Sequence, residues 1–177
     1  CENFLLEGIH CHIGSQIFDE YPFTDAAKIM LDFALEVKNK FGLSFAKINL
    51  GGGIGVRYLE SDPVPSIPDI IDAVGRELLS RFEGTGLSPR ILMEPGRSLV
   101  ADCGMTLYSV GSVKEITGYK NYVSVDGGMT DNPRYALYQS EYTVLPAAKM
   151  TAQREMTADV VGRCCESGDI IQPEVKL

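Results

Sequence analysis

Three short clusters of glycine and polar residues in this 177-residue chain could do chemistry. They lie at residues 10–16, 51–53 and 94–97. Each cluster follows an apolar, strand-like run, and successive clusters are separated by roughly forty residues, the length of one strand, one helix and two loops. Because ligands bind at the carboxyl ends of parallel strands, we expect the clusters to meet at one edge of a parallel sheet.

The glycine triplet Gly51, Gly52 and Gly53 is suited to binding a phosphate. Glycine lets the backbone approach a ligand closely and present successive N–H donors. A tight turn between a strand and a helix needs the same residues, so the triplet alone leaves that alternative open. The spacing is not that of a dinucleotide-binding fingerprint.

The third cluster places a carboxylate and a guanidinium, Glu94 and Arg97, on either side of a Pro-Gly turn. A pyridoxal phosphate site needs these two charges, one to keep the ring nitrogen protonated and one to bind phosphate or carboxylate. His12 could stack on the other face of such a ring. A surface ion pair and a structural histidine are the alternatives.

Two further clusters follow in the second half of the chain. Residues 126–134, followed by Tyr138, offer an Arg and a phenol in a turn-rich segment that could also be a connecting loop. Further along, Cys164, Cys165 and Glu166 place thiols beside a carboxylate. Since a neighbouring negative charge disfavours a thiolate, such a thiol is better suited to donate a proton than to attack a carbon.

Apolar periodicity predicts the elements that must position the clusters. Strands are expected over residues 4–9, 43–50 and 90–93. The first helix has Thr24 or Asp25 as its N-cap and Gly42 as its stop signal, and the second is capped by Ser66. The residues expected to face the core are Ala26, Ile29, Met30, Phe33, Ala34 and Val37 in the first helix and Ile71, Val74, Leu78 and Phe82 in the second.

The residue composition and the apolar pattern change after the third cluster. Residues 101–177 are rich in Val, Tyr and Thr, have Gly or Pro between most of the apolar runs, and show no amphipathic helix pattern. We therefore predict two domains, an α/β domain over residues 1–100 and an all-β domain over residues 101–177.

Composition excludes several functions. Sixteen Lys and Arg against twenty-four Asp and Glu give a net charge of -8, which disfavours binding to nucleic acid or an anionic membrane. The five cysteines are irregularly spaced, which favours reduced thiols. His10 and His12 resemble a metal-ligand pair, but no third ligand has suitable spacing, so no metal is expected. With no long apolar stretch and no leader, we expect a soluble, cytoplasmic protein.

Taken together, the clusters resemble the diaminopimelate decarboxylase family, pyridoxal-phosphate enzymes of the alanine-racemase-like, fold-type III group. Five motifs carry the resemblance over essentially the whole chain: residues 10–16, 51–53, 94–97, 126–138 and 165–169. It implies a fold of the class α/β plus all-β. About three βα units would form the C-terminal part of a pyridoxal-phosphate-binding TIM-type (β/α)8 barrel, followed by part of a β-rich barrel or sandwich domain.

The resemblance also implies roles for individual residues. The cofactor-binding residues would be His12, Ser15, Gly51, Gly52, Gly53, Glu94, Gly96 and Arg97. The substrate-binding residues would be Arg97, Arg134, Tyr138 and Glu166. His12 and Cys165 would be catalytic, with Cys165 reaching over from the partner subunit of a homodimer to protonate the carbon that loses CO2.

The implied reaction is the decarboxylation of meso-2,6-diaminopimelate to L-lysine. Glu166 and Arg134 favour a substrate with a second carboxylate and ammonium group. The alternatives are a related decarboxylase of ornithine, arginine or carboxynorspermidine, and a non-catalytic, decarboxylase-like binding module. The family's cofactor-binding lysine lies on an earlier barrel strand, and no lysine here falls beside the three clusters, so we expect this chain to be inactive by itself.

Overall fold

The computed structural model describes residues 3–177, and the chain divides into two compact units. The first unit comprises Cys1–Arg57 and Pro63–Gly104, and the second comprises Tyr58–Asp62 and Met105–Leu177. Each unit has its own sheet and its own apolar core. The short segment Tyr58–Asp62 therefore belongs to the second unit, although it lies between two parts of the first in sequence.

A three-stranded parallel sheet forms the centre of the first unit, as the clusters predicted. Its strands, in spatial order, are β1 (Gly8–His10), β2 (Lys47–Asn49) and β3 (Arg90–Leu92). Two long helices connect them, α1 (Tyr21–Phe41) and α2 (Ile67–Phe82), and a short helix, α3 (Arg97–Val100), with a 3-10 turn (Ala101–Cys103) follows β3. The register aligns the last residues of the three strands, so their carboxyl ends lie side by side.

The helix ends follow the sequence signals with one exception. Gly42 ends α1 at φ 66°, and Ser66 caps α2 by accepting a hydrogen bond from the Asp69 N–H at 3.3 Å; both confirm the predictions. The predicted N-cap of α1 is wrong, because the helix begins at Tyr21 and the Thr24 hydroxyl donates to a carbonyl within the first turn. A proline in that turn favours the earlier start.

The core of the first unit lies between the sheet and the two long helices. Its buried residues are Phe23, Ala27, Leu31, Ala34, Phe45, Ile48, Leu50, Ile54, Ile70, Val74, Leu78 and Leu87. The predicted helix faces were partly wrong: Ile29, Phe33 and Ile71 are 60%, 49% and 50% exposed. Both helices carry apolar residues over more than one face, so periodicity alone did not fix their rotation about the helix axis.

The predicted first strand, residues 4–9, was placed too early. Phe4 and Leu5 are more than four-fifths exposed, and β1 begins at Gly8. A Cβ at Gly8 would overlap the Lys47 carbonyl oxygen, so the close approach of β1 to β2 at this point requires glycine.

The second unit is built on a four-stranded sheet. Its strands, in spatial order, are β4 (Val110–Glu115), β5 (Asn121–Val125), β6 (Thr157–Val161) and β7 (Ile170–Lys176). The β5–β6 pair is parallel and the other two pairs are antiparallel. One short helix, α4 (Arg134–Tyr138), departs from the all-β prediction, since five residues are too few to show helical periodicity.

The described residues bear on three features suggested by composition: the state of the cysteines, membrane-spanning helices and metal ligands. Cys11, Cys103, Cys164 and Cys165 are free thiols, and Cys1 lies outside the described part. None of the helices described is long and apolar enough to span a bilayer. Within residues 3–177, no three His, Cys, Asp or Glu side chains are grouped as metal ligands.

Candidate functional site

The segments that follow β1, β2 and β3 remain hydrogen-bonded beyond the strands. The Cys11 N–H donates to the Asn49 carbonyl at 3.0 Å, and the Leu50 N–H donates to the Leu92 carbonyl at 2.9 Å. One step further, the Glu94 N–H donates to the Gly51 carbonyl at 2.7 Å. The structure thus brings the three clusters together at one edge of the sheet.

The glycine triplet is where these segments approach most closely. A Cβ on Gly51 would overlap the Cys11 carbonyl, and one on Gly52 would overlap the carbonyl of Glu94. Gly53 has φ +106°, and its Cβ would overlap the Gly14 carbonyl. Backbone packing therefore requires all three glycines, as expected from the alternative that the triplet forms a tight turn after a strand.

The Glu94 carboxylate is held in one orientation by two side chains from neighbouring strands. Its Oε1 accepts a hydrogen bond from Asn49 Nδ2 at 2.7 Å, and its Oε2 lies 3.5 Å from His10 Nε2. Asn49 also accepts the Gly51 N–H at 2.9 Å, so one amide connects the glycine triplet to the carboxylate. The Glu94 side chain is 58% exposed and so can reach a ligand.

His10 and His12 do not act as a pair. His12 is exposed, and its Nδ1 accepts the Gly52 N–H at 3.4 Å, which places the imidazole against the glycine triplet. His10 instead faces Glu94. The alternation that puts residues i and i+2 on one face holds only within a strand, and β1 ends at His10.

Ser15 lies on a loop that is fastened to the segment after β2. The Gln16 side-chain amide makes two hydrogen bonds with the Val56 backbone, one donated and one accepted, each at 3.0 Å. Ile17 adds an isolated bridge to Ile54. The sequence analysis assigned no role to Gln16 or Asn49. Their polar side chains, one in the loop after β1 and one at the end of β2, were the signal that could have indicated a role.

The third cluster leads directly into α3. Gly96 precedes the helix, and Arg97 is its first residue and is exposed. The next residue, Ser98, has a buried hydroxyl without a hydrogen-bond partner in the described part of the chain. A buried hydroxyl left unpaired is costly, so a ligand oxygen would stabilise it.

The four lysines of the first unit all have partners away from the carboxyl ends of the strands. Lys38 donates to the Thr85 carbonyl at 2.7 Å, and Lys47 pairs with Glu7 at 2.6 Å. The other two, Lys28 and Lys40, pair with glutamates on the helices. None of these described ammonium groups is at the edge where the clusters meet.

In the second unit, Arg134 lies against two aromatic rings that meet edge to face. Its guanidinium carbon lies 4.5 Å from the ring centre of Tyr58 and 5.6 Å from that of Tyr142. Such cation–π contacts stabilise the guanidinium in this position. Tyr138, four residues along α4, is 71% exposed.

The turn between β6 and β7 carries Cys165 and Glu166, both exposed. The Glu166 carboxylate accepts the Ser167 hydroxyl and the Gly168 N–H, each at 3.2 Å, which orients it along the turn. The neighbouring Cys164 is less exposed, and its sulfur lies 4.0 Å from the Thr130 hydroxyl.

These features agree with what the sequence is similar to. Residues 2–101 match the family described as pyridoxal-dependent decarboxylase, pyridoxal binding domain, and the chain belongs to this family. Its relatives include proteins named diaminopimelate decarboxylase. That of Bacillus subtilis (strain 168) is 46% identical over 99% of this chain and 41% of its own length, and that of Bacillus methanolicus is 44% identical over 93% and 38%.

Solved structures show the same similarity. The crystal structure of diaminopimelate decarboxylase from M. jannaschii, in co-complex with L-lysine, matches with a TM-score of 0.88 at 33% identity, covering 97% of this chain and 38% of that one. These pyridoxal-phosphate-dependent decarboxylases have the alanine-racemase-like fold, and the chain matches part of it. It spans about two fifths of the length of the relatives it matches.

The groups at the strand ends suit pyridoxal phosphate, the cofactor that family membership implies. Glu94 offers an oriented carboxylate that could pair with a protonated ring nitrogen, and His12 offers an exposed imidazole. Arg97 and the unpaired Ser98 hydroxyl are donors of the kind that bind a phosphate. The donor set therefore fits the cofactor.

Proposed function

We propose that the protein to which this chain belongs decarboxylates meso-2,6-diaminopimelate to L-lysine with pyridoxal phosphate as cofactor. The observation that carries the proposal is the Glu94 carboxylate, oriented by Asn49 and His10 at the strand ends. Similarity to diaminopimelate decarboxylases at 46% and 44% identity supports this substrate. Glu166 and Arg134 offer opposite charges for its distal ammonium and carboxylate groups.

The first unit would hold the cofactor. Bound pyridoxal phosphate supplies an electron sink for the electron pair left when CO2 departs. Glu94 would keep the ring nitrogen protonated, and His12 would cover one face of the ring. The residues proposed to hold the phosphate are Ser15, Gly51, Gly52, Gly53, Gly96 and Arg97.

The second unit would hold the substrate and supply a proton. Arg134 would bind the carboxylate that is retained, and Tyr138 and Glu166 would bind the amino-acid end that does not react. The contacts with Tyr58 and Tyr142 support this role, since they hold in place a guanidinium that can bind a carboxylate through two N–H groups. Arg97, in the first unit, is proposed as a further substrate-binding residue. Cys165, an exposed thiol, would donate a proton to the carbon that lost CO2.

We further propose that β1 to β3 are the last strands of a (β/α)8 barrel over residues 1–100, and that residues 101–177 form part of the β-rich domain. The proposed protein is a cytoplasmic homodimer in which Cys165 and Glu166 serve the partner's site. The lysine that binds the cofactor would come from outside this chain, in keeping with the occupied lysines of the first unit. By itself the chain is therefore expected to be inactive.

A chimera tests the substrate. This chain replaces the matching segment of the Bacillus subtilis relative, and CO2 release is measured with diaminopimelate, ornithine and arginine. We expect release from diaminopimelate alone, and Glu94→Gln should abolish it. Glu83→Gln, a change at the C-cap of α2, is the matched control and should leave the rate unchanged. A preference for ornithine or arginine would contradict the proposed substrate.

The occupied lysines also favour a second candidate, a non-catalytic binding module. The 177-residue chain, mixed with pyridoxal phosphate and diaminopimelate, should release no CO2 under either proposal. The chimera separates the two. A folded chimera that binds pyridoxal phosphate and decarboxylates none of the three amino acids would favour the binding module.

A further inference from the structure

Asp169 is a buried carboxylate that holds two turns of the second unit together. It immediately precedes β7 and is 3% exposed. Its Oδ1 accepts the Met129 N–H at 2.5 Å, and its Oδ2 accepts the Cys164 N–H at 2.7 Å. Hydrogen bonds to an ionised carboxylate are among the stronger ones in proteins, so each turn is firmly fixed to this side chain.

The surrounding backbone is shaped to this carboxylate. A Cβ on Gly162 would overlap Asp169 Oδ2, and a Cβ on Gly128 would lie 2.8 Å from the same oxygen. Gly162 also donates its N–H to the Asp169 carbonyl at 2.8 Å. A backbone hydrogen bond from the Arg163 N–H to the Gly127 carbonyl at 3.0 Å also joins the two turns. Both glycines are thus required by the position of the carboxylate.

The two turns carry residues of two different proposed sites, since Cys165 and Glu166 are proposed to serve the partner's site. The turn at Met129 leads through a short loop into α4, which presents Arg134. The turn at Cys164 leads directly to Cys165 and Glu166. In the proposed homodimer, one carboxylate therefore fixes the segment that binds substrate in one site relative to the turn that reaches into the partner's site.

We infer that Asp169 is a positioning residue that fixes the Arg134 segment relative to the Cys165–Glu166 turn, an inference that rests on the proposed function for its catalytic consequence. Asparagine at this position keeps the volume but cannot accept both bonds, because its NH2 group would face a backbone N–H. One turn is then released, while the first unit, where the cofactor is proposed to bind, keeps all its contacts.

The first test needs neither cofactor nor activity. Amide hydrogen exchange is measured in the 177-residue chain and in Asp169→Asn, and we expect at least about tenfold faster exchange at Met129 or Cys164. Asp159→Asn is the matched control, because Asp159 is equally buried in the same unit but accepts the Glu174 N–H and pairs with Lys120. It should leave exchange at Met129 and Cys164 unchanged.

The second test uses the chimera described above. Asp169→Asn should lower kcat for diaminopimelate at least about tenfold, which corresponds to about 1.4 kcal/mol, and should leave the affinity for the cofactor near the parent value. Asp159→Asn should keep both the cofactor affinity and the CO2 release per folded site near the parent values. Equal losses of kcat in the two variants would reduce Asp169 to a general structural role and overturn the inference. If the parent chimera is inactive, the proposed function fails and hydrogen exchange alone decides the role of Asp169.

A further variant keeps the inference testable if Asp169→Asn does not fold. Gly128→Ala leaves the carboxylate in place but pushes against it, because the new Cβ would lie 2.8 Å from Oδ2. Faster exchange confined to Met129 and Cys164 would support the inference. Unchanged exchange at both amides, in this variant or in Asp169→Asn, would show that the carboxylate does not hold the turns.

Discussion

Replacing Gly53 by alanine should destabilise the first unit. At φ +106° a residue with a side chain carries strain of about 1–3 kcal/mol. The added Cβ also overlaps the Gly14 carbonyl, and the displacement needed to relieve such crowding costs about 1–3 kcal/mol. Alanine restricts the unfolded chain, which returns about 0.4–1 kcal/mol. The free energy of unfolding should therefore fall by about 1–6 kcal/mol.

Gly75→Ala makes the same chemical change where the structure has room for it. Gly75 lies within α2, and a Cβ there meets no atom within 4 Å. Alanine in a helix interior is more stable than glycine by about 0.5–1 kcal/mol, so this variant should gain that amount. Because the effect on the unfolded chain is the same in both variants, the difference between them reports the native state around Gly53.

Urea unfolding followed by the helical circular dichroism signal measures both variants. The two long helices, α1 and α2, belong to the first unit, so the signal reports that unit. We expect a lower midpoint for Gly53→Ala and a higher one for Gly75→Ala, with similar slopes. An unchanged or raised midpoint for Gly53→Ala would refute the argument that the three segments after the strands are packed backbone to backbone.

Three other predictions concern the cores and the titratable groups. Leu31→Ala should cost about 2–5 kcal/mol of stability in urea unfolding, since Leu31 is fully buried. Leu79→Ala, at an exposed position of α2, is the control and should cost less than about 0.5 kcal/mol apart from the change in helix propensity. Equal losses in the two variants would contradict the assigned core. Burial and a hydrogen bond to a carboxylate raise the pKa of Tyr108, so its contribution to stability is complete below about pH 10 and is lost as the pH rises through the folded-state pKa. Tyr108→Phe should therefore flatten the fall of the second unit's urea midpoint at alkaline pH, followed by the near-ultraviolet circular dichroism of the tyrosines, seven of whose eight lie in that unit; an equally steep fall would count against the assignment. Burial also raises the pKa of the Cys11 thiol, so iodoacetamide at about pH 8 should modify Cys11 more slowly than the exposed Cys103, as measured by mass spectrometry of the peptides.

Local signals in the sequence were sufficient for much of the fold. Gly42 and Ser66 act on backbone groups within a few residues of themselves, and both ended or began a helix where expected. The apolar runs before the clusters predicted the three parallel strands, because an apolar run is likewise a local signal. The rotation of α1 was harder to predict, since Ile29 and Leu31 are equally apolar and only the packed sheet decides which is buried.

The interactions that organise the site were largely beyond sequence reasoning. Glu94 was identified from its own cluster, but Asn49, which orients it, lies 45 residues earlier in the chain. Gln16 and Asp169 likewise bind backbone groups 40 residues away, Val56 and Met129. A pattern along the chain shows which residues are polar, whereas the partner of each depends on how the sheet aligns distant segments.

The assignment of Tyr58–Asp62 to the second unit has a consequence for how the protein is made and divided. During synthesis this segment leaves the ribosome before the rest of its unit, so Tyr58 must wait for Arg134 and Tyr142 before its ring contacts can form. Proteolysis after Gly104 would leave the C-terminal product without this piece. No single cut separates the two units from each other, and a gene fragment beginning at Met105 would encode a second unit that lacks one of the two rings in contact with Arg134.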